Sequence, residues 1–253
     1  MCLIDNMNDT LIKERRKMYV EHDFYVGFRD VDYHNHLKIK SALSYLEDIA
    51  GIHSNIAGYG LLDIDKNKKT WVLTNWKLEF IRRPIYSENL KVKTWSNGTE
   101  KIYALRDFYI YDEKGEVVAR ATSKWVLIDI ETMGIARLTD EVMNAYTTEP
   151  DKVFEEKIER LKEPENYIDS VQVKITKDMI DVNGHVHNIN YIDFVTQVMP
   201  IEVMQNAKTV EVLYKKEIRD VDIIKCFYGV QDSYHYVVIK SEDEQTVHAI
   251  VRI

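Results

Sequence analysis

The sequence is short of cysteine and of long apolar runs. Its 253 residues include two cysteines, Cys2 and Cys226, which are too few and too far apart for a disulfide framework or a zinc site. No run of about 18 apolar residues, the length that a membrane-spanning helix needs, occurs. The N-terminal residues, which include Asp5 and Asp9, lack the apolar core of a signal peptide. We therefore expect a cytoplasmic protein without membrane insertion.

Positive charge is also scarce. Lysine and arginine total 34 against 42 aspartate and glutamate residues, which gives a formal net charge of -8. Because phosphate binding needs clustered positive charge, this balance argues against a nucleic-acid-binding protein, although it allows local basic patches. Hydrophobic residues make up 45% of the chain, as in a globular protein with a real core. The length suits one large domain or two of about 120 residues each.

The stretch 180–199 combines a polar cluster with a helical pattern. Asp181, Asn183 and His185 lie close together, and apolar residues at helical spacing follow them, namely Ile189, Ile192, Val195 and Met199. This spacing predicts a helix that begins just after the cluster. Free N–H groups and the helix dipole would favour an oxyanion there, which suits chemistry on a carbonyl. Alternatively, Asn183-Gly184 is an ordinary turn, and Asp181 or Asn183 only caps the helix.

The same pattern occurs earlier in the chain. A strand-like segment at 19–28 precedes a second polar cluster, and a helical period then runs from Leu37 to about Ile56. The matched pairs, at a constant offset of 149 residues, are Asp32 with Asp181, His34 with Asn183, and His36 with His185. A repeat at this spacing indicates two related domains, because solenoid repeats have periods of about 20 to 50 residues.

Four strand-like segments follow each predicted helix. They cover 71–82, 90–95, 102–111 and 117–130 in the first half, and 208–218, 222–230, 234–240 and 246–253 in the second. Turn signals at Asn97-Gly98 and Lys114-Gly115 predict antiparallel hairpins. In 71–82 one face is predicted to be buried, formed by Val72, Thr74, Trp76, Leu78 and Phe80.

Each half is therefore predicted to form a strand, a polar turn, a long helix and a four-stranded meander. A long helix packed on a curved antiparallel sheet would bury both apolar faces, which predicts an α+β fold. We place the N-terminal domain at 1–136 and the C-terminal domain at 169–253. In the C-terminal domain, the strand that precedes the polar cluster is predicted at 171–175. The acidic and polar region 137–168 is the predicted linker, partly helical around 138–146.

Three stretches carry a resemblance to a known family. They are Asp181-Val182-Asn183-Gly184-His185-Val186-His187-Asn188-Ile189-Asn190-Tyr191-Ile192, Trp71-Val72-Leu73-Thr74 with Arg83-Pro84 closing the same strand, and Tyr214-Lys215-Lys216-Glu217. These stretches are similar to motifs of the acyl-acyl carrier protein (acyl-ACP) thioesterases of plant plastids and bacteria. The resemblance covers nearly the whole chain from about residue 20 and implies a tandem (double) hotdog fold.

The resemblance also implies a function. The expected reaction hydrolyses the thioester of a fatty acyl-ACP to free fatty acid and carrier thiol, without a cofactor or a metal. The implied active site is Asp181, Asn183, His185 and Glu217. Plant members have a cysteine after this glutamate, whereas this chain has Ile218, so we expect no cysteine acyl-enzyme.

Each active-site residue can be given an expected role. Glu217 would activate a water molecule that Asn183 holds, and His185 would polarise the carbonyl or protonate the leaving thiolate. The N–H groups of Val186 or His187 are the predicted oxyanion donors. Asp181 would orient Asn183 and the helix start. The roles of the two carboxylates could be exchanged, and either one could instead act as the nucleophile.

In the family the N-terminal unit is associated with acyl-chain selection. This association implies that the first helix and residues 71–80 line the chain pocket, although core packing explains Trp71 and Trp76 equally well. Glu79 follows a similar strand and could mirror Glu217, while the first polar cluster would be a structural relic. Lys215 and Lys216 are the best-placed basic residues for docking the acidic carrier protein, although such residues are more often simply solvated.

Other functions fit the same residues less well. An acyl-coenzyme A thioesterase, a hotdog dehydratase or hydratase, and a non-catalytic acyl-thioester sensor are the alternatives. The pairs His34-x-His36 and His185-x-His187 could suggest metal ligands, but no further cluster completes a site. Two hotdog units could pair within one chain, so a monomer or a homodimer is expected.

Overall fold

The fold is taken from a computed structural model, which describes residues 19–146, 148–149 and 151–253. A basic run in the sequence, formed by Lys13, Arg15, Arg16 and Lys17, lies outside the described residues. In chain order the strands are β1 (Val20–Tyr25), β2 (Lys69–Phe80), β3 (Asn89–Glu100), β4 (Tyr103–Tyr111), β5 (Val117–Asp129), β6 (Gly134–Ile135), β7 (Asp169–Lys174), β8 (Thr209–Tyr214), β9 (Ile223–Gln231), β10 (Tyr234–Ser241) and β11 (Val247–Arg252). The helices are α1 (Ile39–Ala57), α2 (Ile64–Asn67), α3 (Asp140–Ala145), α4 (Asn190–Thr196) and α5 (Ile201–Asn206).

The first predicted helix is confirmed as α1. Its apolar positions recur at helical spacing and are almost completely buried, with Ile39, Ala42, Leu43, Leu46, Ile49 and Ala50 at most 3% exposed. Burying a large apolar side chain contributes about 1.5–3 kcal/mol, so this face supplies much of the helix's stability. The helix stops where Gly58 adopts a φ of 75°, a left-handed conformation that favours glycine.

The second predicted helix is shorter than expected. Instead of one long helix, the chain forms α4 and then α5, with Pro200 at the N-cap of α5. Proline has no N–H to continue the hydrogen-bond ladder of the preceding helix, which explains the interruption. None of the helices in the part of the chain that the structure describes is long and apolar enough to cross a membrane.

One predicted turn is wrong. Asn97-Gly98 lies inside β3, where the pairing with β4 shifts register between Ser96 and Thr99. Gly98 has a φ of 90°, so the glycine accommodates a β-bulge and not a hairpin turn. The chain reverses direction only after Glu100, with Lys101 at a φ of 57°. The predicted turn at Lys114-Gly115 is confirmed between β4 and β5.

The chain divides into two compact units that do not follow the order of the sequence. Among the described residues, the first unit comprises 19–25, 45–73 and 88–155, and the second comprises 26–44, 74–87 and 156–253. Consequently α1 and β2 each contribute residues to both units. The two polar clusters at 32–36 and 181–185 belong to the same unit, the second.

Each unit contains an antiparallel sheet. In the first unit the strands pair in the order β1-β3-β4-β5, with β6 beside β5. In the second unit they pair in the order β7-β9-β10-β11-β8, and residues 75–79 of β2 continue this sheet beside β8. The order β7-β9-β10-β11 repeats the order β1-β3-β4-β5, as a duplicated plan predicts.

The predicted buried face of β2 is confirmed only in part. Trp76, Leu78 and Phe80 are at most 5% exposed, whereas Val72 is 42% exposed. Leu73 is buried in its place, at 3% exposed. Asn75 and Trp76 are adjacent and both buried, so both faces of the strand are covered at that point. The alternation of buried and exposed side chains that a sheet with one solvent-exposed face would show is therefore absent before Trp76.

A polar cluster is buried in the first unit. The guanidinium Nη1 of Arg106 lies 2.8 Å from His53 Nδ1 and donates to Thr94 Oγ1 at 3.2 Å. Because a guanidinium can only donate, His53 Nδ1 must accept, and the neutral ring carries its proton on Nε2. Burial, followed by the charge of Arg106, lowers the pKa of His53 to about 3. Tyr146 lies nearby, with its ring 5.4 Å from the His53 ring.

His53 should make the protein sensitive to acid. In the unfolded chain its pKa returns to about 6.5, so the unfolded state gains a proton first as the pH falls. The contribution of the neutral His53 ring to the unfolding free energy is therefore fully present above about pH 6.5. It is lost as the pH falls to about pH 3, and the loss is at most about 5 kcal/mol. Urea unfolding at pH 7 and pH 4 should show a smaller loss of unfolding free energy for His53→Gln than for the native protein. The exposed His22→Gln variant should keep the native loss, and equal losses in all three proteins would contradict this assignment.

Candidate active site

Asp181 stabilises the polar turn through hydrogen bonds within the turn. Its carboxylate Oδ1 accepts hydrogen bonds from the N–H groups of Asn183 at 2.8 Å and His185 at 3.2 Å. Its own N–H donates to the carbonyl of His185 at 2.8 Å. Aspartate side chains often stabilise turns in this way. Gly184 completes the turn with a φ of 76°, which glycine adopts without strain.

The first repeat contains the same turn. Asp32 Oδ1 accepts from the N–H groups of His34 at 2.9 Å and His36 at 3.0 Å. The N–H of Asp32 donates to the carbonyl of His36 at 2.8 Å. Asn35 stands at the position of the glycine and also has a positive φ, of 66°. The predicted alignment of the two polar clusters is therefore confirmed hydrogen bond by hydrogen bond.

Glu217 reaches the second turn from a short segment that follows β8. The predicted strand 208–218 ends at Tyr214, so the carboxylate is not on the strand itself. The N–H of Val186 donates to the carbonyl of Ile218 at 3.0 Å and ties this segment to the turn. Glu217 Oε1 then lies 4.0 Å from His185 Nε2, with the Glu217 side chain 57% exposed and the His185 side chain 24% exposed. The structure thus brings His185 and Glu217 together at the protein surface.

Asn183 lies on the outer side of the turn. Its side-chain Nδ2 is 3.4 Å from Asp181 Oδ2, which agrees with the expectation that Asp181 orients it. Its backbone carbonyl accepts a hydrogen bond from Arg219 Nη2 at 3.3 Å. The structure therefore places Asp181, Asn183, His185 and Glu217 in one cluster.

Arg219 is a candidate functional residue that the sequence analysis missed. Besides bonding to Asn183, its guanidinium contacts His185 Nε2. Since Arg219 can only donate, His185 Nε2 accepts in this contact. In an extended segment residues two apart point to the same side, so the spacing of Glu217 and Arg219 was the available signal. The spacing alone does not show that the two side chains face the polar turn, because the turn is distant in sequence.

The predicted oxyanion donors are wrong. The N–H of Val186 is bonded to the carbonyl of Ile218, and the N–H of His187 donates to the carbonyl of Met179 at 2.9 Å. Moreover, α4 begins only at Asn190, so the polar turn is not at the helix terminus. Both N–H groups are therefore already bonded to backbone carbonyls, as buried backbone groups usually are. Near His185, the positively charged guanidinium of Arg219 is instead suited to stabilising an oxyanion.

Glu79 is not the mirror of Glu217. The N–H of Leu37 donates to the carbonyl of Pro84 at 2.7 Å, which repeats the bond between Val186 and Ile218. The residue before Pro84 is Arg83, so an arginine occupies the position that Glu217 occupies in the second repeat. Its guanidinium donates to the carbonyls of Leu37 at 3.1 Å, Met204 at 2.8 Å and Ala207 at 3.2 Å. Glu79 instead stands opposite Thr209 in the strand pairing.

Cys226 lies on β9 and is 0% exposed. Burial raises the pKa of its thiol to about 12, so almost no thiolate forms near neutral pH. Within the described ranges, no group of three or more histidine, cysteine, aspartate or glutamate side chains is arranged to hold a metal ion.

The two turns allow a matched comparison of stability. Asp32→Ala and Asp181→Ala each remove a carboxylate that accepts two N–H groups, so each should lower the unfolding free energy by about 0.5–2 kcal/mol. Urea titration of both variants beside the native protein measures these losses. A loss at one position and none at the other would show that the turns are not equivalent.

Comparison with known proteins links the chain to one protein family. The acyl-ACP thioesterase N-terminal domain model matches residues 17–146, and the acyl-ACP thioesterase C-terminal domain model matches residues 161–252. The chloroplastic oleoyl-acyl carrier protein thioesterase 2 of Arabidopsis thaliana is 28% identical over 221 residues, which cover 79% of this chain and 60% of the relative. The chloroplastic palmitoyl-acyl carrier protein thioesterase of Cuphea hookeriana is 28% identical over 183 residues, covering 67% of this chain and 44% of the relative. This chain thus spans 60% or less of the length of these two relatives.

A solved structure confirms the predicted fold. The crystal structure of an acyl-ACP thioesterase from Bacteroides thetaiotaomicron superposes with a TM-score of 0.83 at 24% identity, covering 94% of this chain and 98% of that one. The α+β class and the tandem hotdog repeats expected from the sequence are therefore confirmed.

Proposed function

Because this chain belongs to the acyl-ACP thioesterase family, we propose that it hydrolyses the thioester between a fatty acyl chain and acyl carrier protein. The products are a free fatty acid and the carrier's thiol. One observation carries the proposal: Glu217 Oε1 lies 4.0 Å from His185 Nε2, beside the turn formed by the family's Asp-x-Asn-x-His motif. A carboxylate next to an imidazole is suited to activating water and returning a proton to a leaving group.

In the proposed reaction water attacks the thioester carbonyl carbon. Glu217 takes a proton from that water as the new C–O bond forms, and the C–S bond then breaks. The leaving thiolate receives the proton that Glu217 took, and His185, whose Nε2 accepts from Arg219 and whose ring N–H is therefore on Nδ1, polarises the carbonyl. Asp181 has one carboxylate oxygen committed to two N–H groups, so we assign proton abstraction to Glu217 and a positioning role to Asp181.

Two other groups complete the proposed mechanism. Asn183, oriented by Asp181, holds the water or the Glu217 carboxylate in place. Arg219 takes over the oxyanion role that backbone N–H groups were expected to fill, because a fixed cation beside His185 stabilises negative charge on the carbonyl oxygen. The buried thiol of Cys226 and the presence of Ile218 support a mechanism without a cysteine nucleophile.

The two repeats are proposed to divide the work. The C-terminal domain, 169–253, carries the catalytic residues, and the N-terminal domain, 1–136, selects the acyl chain, with 137–168 as the linker. Supporting this division, the first polar turn faces the region of Arg83 where the second faces Glu217. Cytoplasmic localisation, and a monomeric or homodimeric state, also remain predictions.

Hydrolysis of a panel of acyl-ACP thioesters, followed with a thiol-reactive dye, tests the function. The native protein should release thiol, whereas Asn183→Ala and Glu217→Gln should stay folded and lose turnover by about 10²–10⁴-fold. Asp32→Ala serves as the control, since it loses the equivalent turn in the first repeat but should keep native turnover. A hydratase would form no thiol, and a sensor would show no turnover. Faster hydrolysis of acyl-coenzyme A than of acyl-ACP would favour the acyl-coenzyme A alternative.

Lys215 and Lys216 are proposed to help dock the carrier. Both are exposed and directly precede Glu217. The carrier protein that the family uses is acidic, and this chain has a net charge of -8, so attraction must come from a local basic patch.

Charge reversal tests this docking surface. The double change Lys215→Glu and Lys216→Glu should raise the KM for acyl-ACP by about tenfold or more, since like charges at a rim oppose association. The KM for a small uncharged thioester should change little, and Lys174→Glu, an exposed lysine on β7, should affect neither substrate. Equal changes in KM for both substrates would rule out carrier docking at these lysines.

A further inference from the structure

The segment 215–219, which carries Glu217, lies outside the strand ladder. Pairing between β8 and β11 ends with Tyr214 opposite Ala249. Glu217, which lies 4.0 Å from His185, is therefore on backbone beyond the regular strand pairing. Misplacing a reacting group by about 1 Å can cost about 10²-fold in rate, so some other contact has to hold this segment.

His248, the residue of β11 next to Ala249, provides that contact. Its backbone carbonyl accepts hydrogen bonds from the N–H groups of Lys215 at 2.8 Å and Lys216 at 3.3 Å. Its ring Nδ1 lies 3.0 Å from the carbonyl of Lys216. A carbonyl only accepts, so Nδ1 must carry a proton. His248 thus holds the residue directly before Glu217 through both its main chain and its side chain.

The opposite flank of Glu217 is held by the polar turn. Val186 donates to the carbonyl of Ile218 at 3.0 Å, as described above. The residues on both sides of Glu217 are therefore hydrogen-bonded, one to β11 and one to the turn that bears His185. Removing the ring of His248 would remove only its bond to the Lys216 carbonyl, while the backbone bonds to β11 and the bond to the polar turn stay in place.

Burying the ring of His248 carries a cost in stability. His248 is 4% exposed, and its Nε2 has no hydrogen-bond partner among the described residues. A buried polar atom without a partner costs about 1–3 kcal/mol, which an apolar side chain of similar size would avoid. Burial lowers the pKa of the imidazole, opposed by the carbonyls of Lys216 and Glu217, so the ring is neutral near neutral pH with its proton on Nδ1.

We propose that His248 is a positioning residue whose Nδ1–H fixes the backbone of Lys216 and thereby aims the Glu217 carboxylate at His185. This inference rests on the proposed function. His248 does not touch the reacting atoms and acts only through the segment that it holds. The predicted consequence is an effect on turnover without an equal effect on substrate binding.

Two substitutions distinguish the effect of losing the hydrogen-bond donor from the effect of losing the volume of the ring. His248→Leu fills a similar volume without a donor, whereas His248→Asn places an N–H donor where Nδ1 stood. His248→Leu should lower kcat by about 10–100-fold with KM within about twofold of native, and His248→Asn should stay within about threefold of native kcat. As a matched control, His235→Leu on β10 should keep native kcat. Equal losses for both His248 variants, or none for His248→Leu, would overturn the proposal.

A measurement without substrate guards against variants that fail to fold. Nitrogen-15 NMR of the native protein should show His248 as a neutral ring protonated at Nδ1, with the resonance assigned by its loss in His248→Asn. A ring protonated at Nε2 alone would overturn the proposal even if the protein is active. Conversely, a native protein that releases no thiol from any acyl-ACP would refute the proposed function, while the NMR result would still report whether His248 donates to Lys216.

Discussion

The candidate site depends on the hydrogen bond from the N–H of Val186 to the carbonyl of Ile218. This bond joins a self-contained turn, closed by Asp181, to a segment that has just left its sheet. Neither part carries both candidate side chains, since His185 lies on the turn and Glu217 lies on the segment. The first repeat has the same bond between Leu37 and Pro84. There the same frame carries Arg83 in place of the glutamate, so side-chain identity on a shared backbone distinguishes the two repeats.

The pairing of β2 with β8 explains why both turns belong to one compact unit. These strands occupy equivalent places in the two repeats, and they pair antiparallel with Lys77 opposite Glu211. Each polar turn connects to its own strand of this pair through the segment that follows it, at Pro84 or at Ile218.

Much of the fold could be predicted from the sequence because it depends on local pattern. The period of α1, the turn at Lys114-Gly115 and the repeat offset of the polar clusters all follow from residues close in sequence. The errors came from contacts between distant residues. Gly98 indicated a hairpin but lies in a bulge, because only the partner strand β4 shows where the register shifts. Arg83, Arg219 and His248 were missed or misassigned for the same reason, since each acts on a residue that tertiary structure brings to it.

The central claim is that a water molecule activated by Glu217, and not a protein side chain, attacks the acyl carbonyl. The most direct measurement is a single turnover of acyl-ACP, with enzyme in excess, in water enriched in oxygen-18. The account predicts that the fatty acid released in this first turnover carries one oxygen-18 atom and that the protein carries none. Release of unlabelled fatty acid, with the label appearing in a carboxylate of the protein, would contradict it.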